Sequence, residues 1–283
     1  MKSSKLYIVF LSIFVPAFVY AQTTAPSNPL DNNQSDSAFR FVKWIPGNYI
    51  YLNVDMLDNI YLITAGNQLK KINGNGDSLA VFNDVKKYGN PSYIDVTNPL
   101  KILVYYKNYS TVVVLDRLLT ERNTINLRNH HIFSVQAVAT SYDNNIWLFD
   151  EQDYKLKKIN EEGEMLQESS DLRQLMDSVP SPQVIIDNEN QVFLYDTSRG
   201  FYIFDYYGAM KNTIPFLKWN DVAVSGKQMM GFSEKKLFSY QLNSLNLKTY
   251  RLPHFFKDYD AIKAINGKLY LLKKDGVEIY SVQ

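Results

Sequence analysis

A unit recurring about every 40–45 residues, turns of Asp, Asn and Gly between aromatic-rich apolar runs, and one alternating strand ahead of the first unit predict an all-β fold. The class they define is a six-bladed β-propeller of four-stranded blades, with the ring closed by the N-terminal strand. The unit is plainest at Asp143–Asn160, D-N-N-I-W-L-F-D-E-Q-D-Y-K-L-K-K-I-N, and an earlier copy, Asp58–Asn73, ends on the same L-K-K-I-N. Residues closing each third strand fall at Asn73, Asp116, Asn160, Asp205, Gln241 and Ser281, at intervals of 43, 44, 45, 36 and 40 residues. The last two units carry the faintest pattern, and seven blades is the competing count.

The chain opens with Lys2 and Lys5, an apolar run Leu6–Val19, and Val19-Tyr20-Ala21, which sets small residues where a signal peptidase reads. Residues 1–21 are therefore expected to be a signal peptide cleaved before Gln22. A retained anchor is the competing reading, but the run is shorter than the roughly 20 residues of a spanning helix, and Pro16 interrupts it. Residues 22–38, rich in Pro, Ser and Asn, are expected to form a flexible leader. Residues 39–283 are expected to be one propeller domain.

Phe39–Trp44 alternates as a strand should, and Pro46-Gly47 ends it with a turn. It has no partner in the first unit, while the last unit stops after its third strand, Val277–Val282. Pairing the two closes the ring and leaves no long exposed edge. First strands are expected at Tyr49–Val54, Tyr93–Val96, Val135–Ala139, Val184–Ile186, Val222–Val224 and Ala261–Ile265. Second strands follow at Ile60–Thr64, Ile102–Tyr106, Ile146–Asp150, Val192–Asp196, Met229–Phe232 and Leu269–Lys273. Asp58-Asn59, Asp143-Asn144-Asn145, Asp187-Asn188, Gly226 and Asn266-Gly267 lie between them, residues that tolerate the left-handed backbone of tight hairpins. Runs such as Val112-Val-Val-Leu115 are apolar on both faces, as expected of blades sandwiched between blades. Glu161–Pro182 breaks the pattern: Leu172, Leu175 and Met176 at helical spacing after Ser170-Asp171 predict a fourth strand followed by a short helix or ordered loop. It serves as a connection or, alternatively, as a lid or docking element.

Composition narrows the function. With no Cys, disulfides, cysteine nucleophiles and thiolate metal sites are all excluded. Loss of Lys2 and Lys5 leaves 28 basic against 29 acidic residues, a balance that points to neither nucleic acid nor an anionic membrane as partner. The strands, near five residues, are too short for the about 9–11 that a membrane barrel needs, and no transmembrane segment is expected after signal removal.

D-N-I-Y-L-I with L-K-K-I-N, and D-N-N-I-W-L-F-D with L-K-K-I-N, resemble the blades of six-bladed propellers of the NHL-like and sugar-lactonase-like families, lacking the Gly those families place before Asn. Asn98–Leu119 is also similar to a segment of a family of exported bacterial envelope proteins. The resemblance covers most of Asn48–Val282 and implies the fold; activities on that fold range from lyases and lactonases to binding scaffolds.

The chemistry-bearing residues are few. His130-His131 would point to opposite faces of an extended segment and not share a metal, and His254 sits beside Pro253 and two Phe. Asp55, Asp95 and Asp187 lie in or at the ends of first strands, and with backbone carbonyls they would suit a hard cation such as Ca²⁺. The competing reading makes them turn residues accepting from nearby amides. No other cofactor is expected. The chain contains no G-x-S-x-G, H-E-x-x-H, P-loop or G-x-G-x-x-G, and Asn73-Gly-Asn-Gly76 reads as a hairpin turn. Lys70-Lys71, Lys157-Lys158, Lys235-Lys236 and Lys273-Lys274 read as solvated strand ends.

The expected function is a non-catalytic scaffold in the periplasm or cell envelope that presents its blade-connecting loops to another envelope protein, with Phe255-Phe256, Tyr206-Tyr207 and Trp219 as anchors. The alternatives are a metal-dependent lactonase- or lyase-like enzyme and a small-ligand or glycan binder, the last predicting an aromatic-lined pocket on one face.

Overall fold

Short apolar strands joined by Asp/Asn/Gly turns pair with their sequence neighbours, and the computed structural model, describing residues 39–256 and 258–282, shows six such sheets. The expected signal peptide and leader lie outside the described residues. Strand β1 (Phe39–Pro46) comes first, then blade 1: β2 (Tyr49–Val54), β3 (Ile60–Thr64), β4 (Leu69–Ile72) and β5 (Ser78–Phe82). Blade 2 is β6 (Tyr93–Asn98), β7 (Lys101–Tyr106), β8 (Thr111–Asp116) and β9 (Glu121–Asn126). Blade 3 is β10 (Val135–Thr140), β11 (Ile146–Asp150), β12 (Lys155–Ile159) and β13 (Met165–Glu168). Blade 4 is β14 (Val184–Asn188), β15 (Gln191–Asp196), β16 (Gly200–Asp205) and β17 (Met210–Ile214). Blade 5 is β18 (Asn220–Ser225), β19 (Gln228–Ser233), β20 (Lys236–Gln241) and β21 (Asn246–Arg251). Blade 6 is β22 (Ala261–Ile265), β23 (Lys268–Lys273) and β24 (Gly276–Val282), with β1 as its fourth strand.

All pairings are antiparallel, and β1 runs beside β24 from Phe39↔Val282 to Pro46↔Gly276. The ring is therefore closed by main-chain hydrogen bonds between the two ends of the domain. Gly276 opens β24 because a Cβ there would stand 2.2 Å from the Ile45 carbonyl oxygen.

Each junction between neighbouring blades has its own core. In β7, Ile102, Val104 and Tyr106 pack toward blade 1 while Leu103 and Tyr105 pack toward blade 3. In β8, Val113 and Leu115 take the first side, Val112 and Val114 the second. The period-two alternation of a strand thus distributes one apolar run over two cores. Blade 5 is less enclosed: the third strand of blade 2, β8, buries five of its six positions, whereas β20, the third strand of blade 5, buries Ser239 and Tyr240.

The strand order puts two kinds of loop on opposite rims. Turns joining first to second and third to fourth strands form one face, here the hairpin face. Turns joining second to third strands, together with the blade-to-blade connections, form the other, the connection face. The Glu161–Pro182 segment supplies β13 and then a 3₁₀ turn at Leu172–Gln174, with the Asp171 side chain accepting from the Arg173 amide. Leu172 is fully buried in the core between blades 3 and 4, and Met176 packs against it.

Two sequence expectations change. Lys71, Lys157 and Lys158 are not solvated: all three are buried. Lys157 pairs with Asp150 at 2.8 Å and with Asp153, and Lys158 pairs with Asp143 while lying over the Tyr142 and Trp147 rings. Lys71 lies over Tyr61 and donates to the Arg117 carbonyl at 2.9 Å. A third-strand lysine faces the neighbouring blade, so its long stem has apolar surface to cover. His130 closes a 3₁₀ turn, Leu127–His130, and His131 is left-handed, so the pair is not extended.

Candidate functional site

The three carboxylates singled out from the sequence sit in three different blades, and each is occupied as a hydrogen-bond acceptor. Asp55, buried at the end of β2, accepts from the amides of Leu57 and Asn59, the Asn59 side chain and the Tyr61 hydroxyl. Those donors are all in its own blade. Asp95 accepts from the Thr97 amide and hydroxyl, and from the Thr140 amide of blade 3 at 2.6 Å. Asp187 of blade 4 reaches into blade 3, accepting from the Ser141 hydroxyl, the Tyr142 amide and Trp147 Nε1 at 2.9 Å, and it also accepts from the Tyr206 hydroxyl. Three of these bonds fall on Oδ2 and the Tyr206 bond on Oδ1, so all but one of the about four lone-pair sites of the carboxylate are engaged. The three residues do not come together, and no group of three His, Cys, Asp or Glu among the described residues could hold a metal ion.

Asp95 and Asp187 instead tie one blade to the next. The same device recurs at the ring closure, where Asp58 of blade 1 accepts from Lys268 at 2.7 Å, Asn266 at 3.0 Å and Tyr270 at 3.4 Å, all in blade 6. Partial burial works against ionisation of Asp58, yet the Lys268 and Asn266 donors outweigh it and hold its carboxyl below the ordinary 3.8.

A second polar group lies along the first strands that surround the channel. Asp221 in β18 pairs with Lys263 in β22, joining blades 5 and 6. Burial works against the Lys263 ammonium, but the Asp221 carboxylate outweighs it and raises its pKa. Asp221 adopts φ +47° where the β18–β19 register slips, an uncommon conformation for a non-glycine residue. Tyr51 donates to the Ile94 carbonyl at 3.1 Å, and burial raises its hydroxyl pKa. These contacts link adjacent blades.

The hairpin face is different. Seven apolar or aromatic side chains in the described residues are at least 60 % exposed: Met56, Leu57, Leu100, Leu118, Tyr142, Tyr207 and Leu245. Every one lies in a hairpin turn of this face, spread over blades 1 to 5. Between blades 2, 3 and 4 the same face holds a cleft of about 410 Å³, walled by Thr97, Thr140, Ser141, Tyr142, Asn190 and Tyr206, with Asp187 at its side. Tyr142 and Tyr206 stack at 4.4 Å with their rings parallel to within 1°.

The sequence reading missed this cleft because Tyr142 and Tyr206 are 64 residues apart and meet only when blades 3 and 4 pack. Its one local signal was an aromatic directly beside the turn residues, at Tyr142-Asp143 and Asp205-Tyr206-Tyr207.

No protein-family profile and no curated protein sequence matches the chain. Solved structures do. A virginiamycin B lyase from Staphylococcus aureus superposes with a TM-score of 0.56 at 13 % identity, covering 83 % of this chain and 80 % of that one. A Bacteroides fragilis protein described as exported gives 0.55 at 11 % identity over 88 % and 96 %. The Pan2 WD40 domain of Neurospora crassa gives 0.59 at 10 % identity over 84 % and 80 %. At such identities the likeness carries the fold alone. The chain is a six-bladed β-propeller, similar in architecture to a lyase and to WD40 domains alike.

Proposed function

We propose that this protein is a non-catalytic propeller scaffold that presents its hairpin face to another protein of the cell envelope. One observation carries the reading: among the described residues, the seven most exposed apolar side chains all occupy hairpin turns of a single face. Isolated exposed apolar residues are ordinary on any surface. Their confinement to one rim is not, and exposed aromatic and aliphatic anchors on a rigid frame are what a protein interface uses. Among the described residues no helix is long and apolar enough to cross a membrane. The envelope location rests on the signal-like sequence at Lys2–Ala21.

The test is crosslinked capture of the tagged protein from its native envelope, read by mass spectrometry. A stoichiometric protein partner, lost when Leu57 and Leu245 are both changed to Asp, supports the scaffold. Capture that is unaltered by that double change contradicts it.

A further inference from the structure

The cleft between blades 2, 3 and 4 has a chemistry of its own and shares Tyr142 with the exposed turns. Its volume of about 410 Å³ falls within the about 300–1,000 Å³ typical of small-molecule sites. Hydroxyl and amide groups from Thr97, Ser141 and Asn190 share its wall with the tyrosines. The charges around it are already spent. Asp187 accepts four hydrogen bonds, Glu189 pairs with Lys227 at 3.0 Å, and Lys158 pairs with Asp143. A phosphate or carboxylate would find no free cation in the wall, and a metal would find no open carboxylate pair. What the wall offers is hydroxyl and amide hydrogen bonding with no cation, beside aromatic surface: Tyr142 is 65 % exposed, and Tyr207, on the same turn as Tyr206, is 88 % exposed.

A second observation points the same way. Thr140 belongs to the cleft wall, and its Oγ1 is the one buried side-chain polar atom among the described residues with no hydrogen-bond partner. Native proteins rarely leave such a group unpaired. A small rotation of the Thr140 side chain on ligand binding would bring that hydroxyl to the cleft and give it the partner it lacks.

We infer that this cleft binds a short neutral saccharide, with Tyr142 as the apolar platform for the sugar ring and Thr97, Ser141 and Asn190 bonding its hydroxyls. The site stands whether or not the hairpin face also holds a protein.

The test uses saturation-transfer NMR on the mature protein with cellobiose, maltose and N,N′-diacetylchitobiose, and with glucose 6-phosphate and glucosamine as charged comparators. Transfer to the ring protons of at least one neutral disaccharide is expected. Tyr142→Ala should weaken binding by about tenfold or more, the loss of an aromatic anchor, and Asn190→Ala provides a second variant should the first fail to fold. Thr140→Val, which keeps the shape and removes the hydroxyl, should weaken it less. The Leu57→Asp/Leu245→Asp protein should bind the sugar unchanged, which separates this site from the protein-binding face. No transfer to any neutral sugar, tighter binding of a charged comparator, or binding indifferent to both Tyr142→Ala and Asn190→Ala would overturn the proposal.

Discussion

The two faces of the propeller treat their apolar residues in opposite ways. On the connection face the blade-to-blade segments fold back and bury many of them: Leu127, Ile132 and Leu172 are fully buried, and Trp219 and Phe256, expected as interface anchors, nearly so, whereas Phe133, Leu175, Leu217 and Phe255 stay 40–53 % exposed. Polar groups there are buried and paired too, as Lys157 is with Asp150. On the hairpin face the turns are too short to fold back, and Leu57, Tyr142, Tyr207 and Leu245 stand in solvent. A connection has length enough to bury several side chains between two blades; a tight turn buries few, such as Leu119. One rim thus buries more of its apolar surface between blades, and the other leaves more of it in solvent.

The sharpest way to break this contrast is to charge one side chain on each face and follow partner capture. Leu57→Asp with Leu245→Asp should lower capture by about a hundredfold, as two anchors of roughly 1–2 kcal/mol each would, whereas Tyr109→Asp on the connection face should leave it unchanged. Neither should change the unfolding free energy measured in urea by more than about 0.5 kcal/mol, since these positions are exposed.

Stability should respond in the reverse sense. Lys157→Ala strands Asp150, which is fully buried, and should cost about 3–5 kcal/mol in urea unfolding. A loss below about 1 kcal/mol would show that the connection face is not where stability resides. Asp187 sharpens the comparison from the other side, because it is a structural group on the hairpin face. Asp187→Leu leaves the Trp147 indole, the Ser141 and Tyr206 hydroxyls and the Tyr142 amide without their acceptor, and about 1–3 kcal/mol should be lost. Near-ultraviolet circular dichroism of Trp147 should change with it.

The smallest effect is a pH dependence at the ring closure. Because the folded carboxyl of Asp58 titrates below the ordinary 3.8, its contribution is complete above about pH 4 and is lost as pH falls through the folded value. Urea midpoints should therefore drop on acidification below about pH 4, and Asp58→Asn should flatten that slope. A slope identical in the variant would remove Asp58 from the closure.

How much was legible in the sequence follows from how local each feature is. Strands β2, β3, β11 and β22 fall at their expected bounds, because alternation and turn residues act within a few positions of one another. The closing pair of β1 and β24, although 241 residues separate Arg40 from its partner Ser281, was readable as an unpaired strand at one end and a missing strand at the other. The lysines of L-K-K-I-N were misread because folding supplies their partners: Lys71 meets the backbone of Arg117 in the next blade, while Lys157 and Lys158 meet Asp150 and Asp143 on the neighbouring strand and turn of their own blade. Asp95 and Asp187 were found as residues but not as ties between blades, since their donors Thr140 and Trp147 lie 45 and 40 positions away. The cleft needs three blades in place before it exists.

Site-specific photo-crosslinking in the native envelope tests the central claim most directly. A photoreactive amino acid replaces Tyr207 on the hairpin face in one variant and Tyr109 on the connection face in another. The scaffold account predicts one discrete protein adduct from position 207 and none from position 109. The reverse pattern, or the same adduct from both faces, would contradict it.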